Sequence, residues 1–183
     1  MIQRNFAAAS RRGFVAMVVL GMASVATGPA HAAQDRVVAL AKPTGPVILT
    51  VTGKVQNPNA YREASFDMEM LMALPATRIE TTTPWTEGVT QFEGVRLDVL
   101  LKHIAAKGTV GEFMALNDYA VRIDLADFEK QTAIIAYQMN GKPMSVRNKG
   151  PLWVIYPLDH IAESEAAFYR DRMIWQLRSI DIK

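Results

Sequence analysis

Residues 147–157 read Arg147-Asn-Lys-Gly-Pro-Leu-Trp-Val-Ile-Tyr-Pro157. A polar loop with two cations, an amide and a permissive glycine runs into an apolar segment that a proline closes. Residues 152–156 have the length and the β-branched and aromatic content of a buried strand. Upstream, Asn140-Gly141 is a hairpin turn signal behind a strand over 133–139. Downstream, 159–167 adds a turn of helix and 173–182 a closing strand. Further back, Asn117-Asp118 separates strands over 113–116 and 119–123. Leu97, Leu100, Leu101 and Ile104 recur at helical spacing up to Gly108, which predicts a helix over 97–107. Residues 78–83 alternate as a strand. Asp67 caps a short helix over 68–74 that Pro75 ends. The β-branched run 47–52 is the first strand, with Gly53 at a bulge or bend, and 34–45 reads as a lead, a loose arm or an edge. A few short helices among many strands predict an α+β domain built on mixed β-sheets.

The chain has no cysteine, so no disulfide, lipid-modified N-terminus or thiolate ligand is available to it. Arg4, Arg11 and Arg12 precede an apolar run beginning at Phe14, and Ala30-His-Ala32 offers small residues for cleavage. Residues 1–32 therefore read as an export signal, and 33–183 as a single soluble domain. Ser10-Arg-Arg-Gly-Phe14 also fits a twin-arginine signal, so Sec and twin-arginine export to the periplasm both stay open. The signal holds three of the 20 Lys and Arg and none of the 18 Asp and Glu, which leaves 17 against 18 and a net of −1. That balance excludes a phosphate-tracking nucleic-acid binder, which needs clustered excess cations.

Taken with Thr81-Thr-Thr-Pro-Trp-Thr-Glu-Gly88 and Phe92-Glu-Gly-Val-Arg-Leu-Asp-Val-Leu-Leu101, the 147–157 stretch resembles the molybdopterin-binding domain of the sulfite oxidase family. The resemblance runs from about residue 50 to 182. It implies a mixed-sheet fold and a pterin or molybdopterin-like ligand. Redox-active members hold molybdenum through one cysteine thiolate, on the segment that here reads Thr81, Thr82, Thr83, Pro84. A threonine hydroxyl stays protonated near pH 7 and lacks the soft donor, so no metal is expected. Catalytic relatives also carry arginine just after the proline, where Leu152 and Trp153 stand, and a lysine where Ile174 precedes Trp175.

The resemblance places Thr83 and Trp85 against the ligand. Trp85 is either a stacking platform for a flat heterocycle or a cap on a corner of the core. Arg147, Asn148 and Lys149 either grip a pterin edge or a phosphate tail or form a solvated hairpin loop. Arg147 and Trp85 are expected to face one pocket, with Trp153 adding an aromatic. Asn117 and Asp118 either pair with the amino and ring N–H groups of a pterin or only shape a turn. Tyr119 and Tyr156 read as core residues with satisfied hydroxyls, and Met68, Met70 and Met72 as gap-filling core. Past the signal only His103 and His160 remain, too few donors for a zinc or iron cluster.

Cysteine-less members of this fold resemble pterin-sensing regulators. The expected function is a non-catalytic periplasmic pterin binder that reports to a membrane-bound signalling partner, a cyclic-di-GMP enzyme or a sensor kinase. The alternatives are a molybdopterin-dependent oxidoreductase whose metal has an oxygen ligand or no protein ligand, and a scaffolding export protein with an empty pocket.

Overall fold

Alternation decides the first strands. In β1 (Leu49–Gly53), Leu49 and Val51 point inward and are fully buried while Thr50 and Thr52 are half-buried. The computed structural model describes residues 39–183, so the expected export signal lies outside the described residues. β2 (Ala64–Phe66), α1 (Met68–Met72), β3 (Ala76–Thr81), β4 (Thr90–Arg96) and α2 (Leu97–His103) follow. Then come β5 (Val110–Ala115), β6 (Ala120–Asp124), α3 (Asp127–Lys130), β7 (Ile134–Met139), β8 (Lys142–Pro143), β9 (Trp153–Ile155), α4 (Glu163–Arg170) and β10 (Leu177–Ile182).

The strands form two five-stranded sheets. One runs β2-β1-β10-β5-β6, with β1 and β10 parallel and its other pairs antiparallel. The other runs β3-β4-β7, and β8 and β9 pair with opposite ends of β7. This is the mixed-sheet α+β architecture expected. Buried residues on β7 and β9 (Ile134, Ile135, Ala136, Trp153, Val154, Ile155) fill the interior with Phe66, Phe92, Phe113, Leu97 and Leu100.

Two local expectations are corrected. The helix after Arg96 ends at His103, because Ile104 is its cap and Ala105 turns left-handed at φ 50°. The strand expected over 173–182 begins only at Leu177, since Gln176 has φ 52° and breaks the extended run. Gly53 does mark a bend: its φ is +84°, and a Cβ there would lie 2.1 Å from the Ile182 carbonyl oxygen. Met68 and Met70 pack against the core, but Met72 is about half exposed.

The described part of the lead is not loose. Asp67 accepts the Met70 N–H at 2.9 Å as the helix cap, and its other oxygen accepts Thr44 and Gly45 N–H at 2.8 and 2.9 Å. Those bonds, led by Gly45 and Met70, hold the carboxyl below its usual range. A carboxylate depressed on folding contributes stability above its unfolded pKa and loses it as pH falls through the native value. Asp67→Asn should therefore be less stable than wild type at pH 7. Melts at successively lower pH should show the gap closing below about pH 3.9; a gap independent of pH would remove the charge from the argument.

Candidate ligand pocket

The segment after β3 is tied down by its own hydroxyls. Thr81 Oγ donates to the Thr82 carbonyl at 3.2 Å and accepts the Asp159 N–H at 3.2 Å. Thr82 gives Asp159 its N–H at 2.8 Å and its hydroxyl at 2.5 Å. Those Thr82 bonds, the hydroxyl first, pull the Asp159 pKa down. Thr83 Oγ pairs with Thr86 Oγ at 2.9 Å and accepts the Trp85 N–H at 3.2 Å. Each hydroxyl is therefore engaged inside the protein. The last of them sets the turn that presents Trp85.

Trp85 is half-buried and meets Trp175 edge-on at 5.3 Å and 71°, and Trp153 at 6.0 Å and 60°. The protein's three tryptophans thus form one cluster. Trp153 is its buried base: it has no exposed surface, donates its indole N–H to the Met173 carbonyl at 3.0 Å, and packs on Phe92 at 5.3 Å. Above it opens a cavity of about 420 Å³, walled by Trp85, Trp175, Met173 and Ile174 and rimmed by Asn117, Tyr119, Arg170 and Asp171. That volume lies in the range of small-molecule sites.

Of the residues expected at the ligand, the cavity brings together Trp85 and Asn117. Thr83 is buried behind them with its hydroxyl engaged. Trp153 lies beneath the cavity with no exposed surface and is not part of its lining. Asp118 sits left-handed at φ 65° in the turn and binds Arg178 at 2.6 Å, and it is not part of the cavity lining. Arg147 does not line the tryptophan cavity, so the expected shared pocket with Trp85 is not formed. Its neighbour Asn148 lines a separate cavity of about 370 Å³ beside Asn140 and Lys142. Lys149 is half-buried, with Nζ 5.6 Å from the centre of the Trp153 ring.

Sequence reading missed Arg170 and Asp171, which end α4 and begin the loop to Trp175. It also placed Tyr119 in the core, whereas the ring is 57% exposed and lines the cavity. A large aromatic beside a turn was the one available signal. Tyr156 is buried as expected, but among the described residues its hydroxyl has no hydrogen-bond partner. Burial, and then the nearby Asp127 carboxylate, push that phenol far above its ordinary pKa.

Among the described residues, no three His, Asp or Glu side chains converge as a metal site. The family described as "Oxidoreductase molybdopterin binding domain" matches residues 46–164. Among solved structures, the sulfane dehydrogenase SoxCD from Paracoccus pantotrophus is similar at TM-score 0.54 and 18% identity, over 73% of this chain and 37% of that one. This chain thus spans little more than a third of that protein's length, and the likeness is one of fold. No curated protein matches. The family match covers most of the chain and agrees with the mixed sheets and the threonine-tryptophan segment, and the chain belongs to the oxidoreductase molybdopterin-binding domain family.

Proposed function

We propose that this protein binds a pterin in the tryptophan cavity, holds no molybdenum through a side chain of its own, and passes the ligand state to a membrane-bound signalling partner from the periplasm. The observation that carries this reading is the pairing of an open indole wall with an anchoring segment that has no free donor. Trp85 and Trp175 offer ring faces and edges to a flat heterocycle, and Asn117 and Asp171 set polar groups on the rim. These residues fit a pterin ring. They do not fit its metal, because the hydroxyls of Thr81, Thr82 and Thr83 are engaged in internal bonds and a neutral hydroxyl is a poor substitute for a thiolate.

A binder without a reactive group acts through its surface. Next to the cavity, half-exposed Val47, Leu116 and Val146 line an apolar groove with Arg178. Gln176 stitches groove and cavity together: its N–H bonds the Lys149 carbonyl, its carbonyl accepts the Leu116 N–H, and its amide reaches the Val146 carbonyl at 2.7 Å. Ligand-dependent shifts of Trp175 would reach the groove through this residue. A cyclic-di-GMP enzyme or a sensor kinase is the partner class that suits such a relay.

Because all three tryptophans adjoin the cavity, a bound pterin should quench the intrinsic fluorescence saturably. Trp85→Ala should weaken binding by about 1–3 kcal/mol, roughly tenfold to a hundredfold in Kd, with Trp153 and Trp175 left as reporters. Wild-type protein that no pterin quenches would end this reading. Family membership favours one second reading, a molybdopterin-dependent oxidoreductase. Elemental analysis separates the two: we expect no stoichiometric molybdenum in protein isolated from the periplasm, and about one atom per chain would establish the oxidoreductase.

A further inference from the structure

We propose that Asp127, Tyr156 and Arg172 enclose an internal binding site for one water molecule, and that this water pins the turn that forms the wall of the tryptophan cavity. The inference does not depend on which ligand the cavity takes.

Among the described residues, three buried side-chain atoms have no hydrogen-bond partner: Asp127 Oδ2, the Tyr156 hydroxyl and Arg172 Nε. Leaving even one such group unpaired is costly, because its hydration is removed and nothing replaces it. These three are neighbours. Arg172 Nε stands 4.0 Å from Asp127 Oδ2. Tyr156 stacks on Phe128, the residue after Asp127, with ring centres 6.4 Å apart. Burial raises the phenol's pKa, the Asp127 carboxylate raises it further and the Arg172 guanidinium lowers it, so both charges act on the hydroxyl.

The remaining atoms of the charged pair are engaged elsewhere. Asp127 Oδ1 takes Lys130 Nζ at 3.4 Å, and Arg172 Nη1 donates to the Phe168 carbonyl at 2.7 Å. A gap of 4.0 Å is too long for a direct hydrogen bond. A water oxygen set to one side of that line lies about 2.9 Å from both atoms. It accepts the Arg172 Nε–H, donates one hydrogen to Asp127 Oδ2, and shares its third bond with the Tyr156 hydroxyl. Three bonds are the usual complement of a buried water.

The charges decide against an ion. A metal cation would gain the carboxylate and phenol oxygens but face the guanidinium. A halide would gain the two donors but face the carboxylate. A neutral molecule that both donates and accepts meets neither repulsion.

The three residues come from three segments around the cavity. Asp127 begins α3, Tyr156 follows β9, and Arg172 sits between Asp171 on the rim and Met173 in the wall. The wall is tied to β9 through the Met173 and Ile174 carbonyls, which accept the Trp153 indole N–H and the Val154 N–H. The water adds a tie to α3, one residue ahead of these.

High-resolution diffraction from crystals of the purified protein should show one water oxygen within about 2.7–3.2 Å of all three atoms. Arg172 Nε closed directly on Asp127 Oδ2, with no water between them, would overturn the site. Tyr156→Phe gives an independent reading in solution. Removing an unpaired buried phenol should raise the urea midpoint, whereas removing one that bonds a water leaves that water short of a partner, so we expect the midpoint to fall. A midpoint equal to or above that of wild type would overturn the proposal. Hydrogen exchange locates the effect. The amides of Arg172, Met173 and Ile174, each hydrogen-bonded within the turn, should exchange about tenfold faster in Tyr156→Phe, with a smaller change in β1 and β5. Equal acceleration everywhere would show that the water does not pin the wall.

Discussion

Trp153→Ala is expected to destabilise the protein by about 3–5 kcal/mol, the usual cost of deleting a fully buried tryptophan. The side chain has no exposed surface and packs edge-on against Phe92, Trp85 and Trp175. Its strand pairs with β7, and Trp153 itself makes an isolated bridge to Trp175. Alanine would leave a void under both cavity walls. In a domain of this size the melting temperature should fall by about 10 °C or more. Trp153→Phe separates packing from the hydrogen bond, because a ring remains while the indole donor is lost. The Met173 carbonyl then loses the N–H it accepts at 3.0 Å in the interior, so this variant should cost a smaller amount, about 1–3 kcal/mol. Urea melts of the two variants give the comparison. An alanine variant as stable as the phenylalanine one would mean that the void closes without loss, and that Trp153 does not support the cavity.

The strands that alternate or are uniformly apolar are legible in the sequence, because burial on one or both faces leaves a pattern. β1, β7 and β9 are of this kind. β2, β8 and α3 were not read, since two to four residues are too few to show a period. β4 was not read although its burial alternates, because a polar Thr90 is among its buried residues and Gly94 breaks the apolar pattern. The overlong helix at 97–107 and the overlong strand at 173–182 share one cause. Each is cut by a left-handed residue that is neither glycine nor asparagine, Ala105 and Gln176. Tertiary bonds hold those conformations: Ala105 O accepts the Gln56 N–H, and Gln176 O accepts the Leu116 N–H. Local sequence carries no mark of either.

The site was legible only where a side chain is out of place for a core. Trp85, set between Pro84 and a polar turn, announced itself, and Asn117 came with its turn. Asp118 looked equally suitable, but its ion pair with Arg178 joins residues 60 positions apart and cannot be foreseen locally. Arg170 reads as an ordinary cation complementing the end of a helix. Its place on the cavity rim comes from the tryptophans that the fold brings to the end of α4. The segment expected near a metal was read for what it lacks, a cysteine; the bonds that Thr81, Thr82 and Thr83 make through their hydroxyls, to partners as far away as Asp159, were beyond local reading.

Gly94→Ala should be among the most damaging substitutions that add a single methyl group. Gly94 is buried in β4, which pairs with both β3 and β7. The β4–β7 register shifts at this point: Glu93 opposes Gln138 while Gly94 opposes Ala136, so Tyr137 is an extra residue on β7. The irregularity brings main chain against main chain. A Cβ on residue 94 would lie 2.1 Å from the Ile135 carbonyl oxygen and 2.6 Å from the Ala136 Cα. No rotamer change relieves a clash with backbone, so β7 would have to move away from β4. That strand carries β8 and β9 with it, and β9 holds Trp153. The cost should exceed the roughly 1–3 kcal/mol of ordinary overpacking, and the packing beneath the tryptophan cavity should loosen along with stability. Gly141→Ala is the control. Its φ is +72° and an added Cβ would meet nothing within 4 Å, so only the left-handed penalty of about 1–2 kcal/mol applies. Urea melts should rank Gly94→Ala well below Gly141→Ala, and the opposite order would show that β4 and β7 do not approach each other as closely as Gly94 requires.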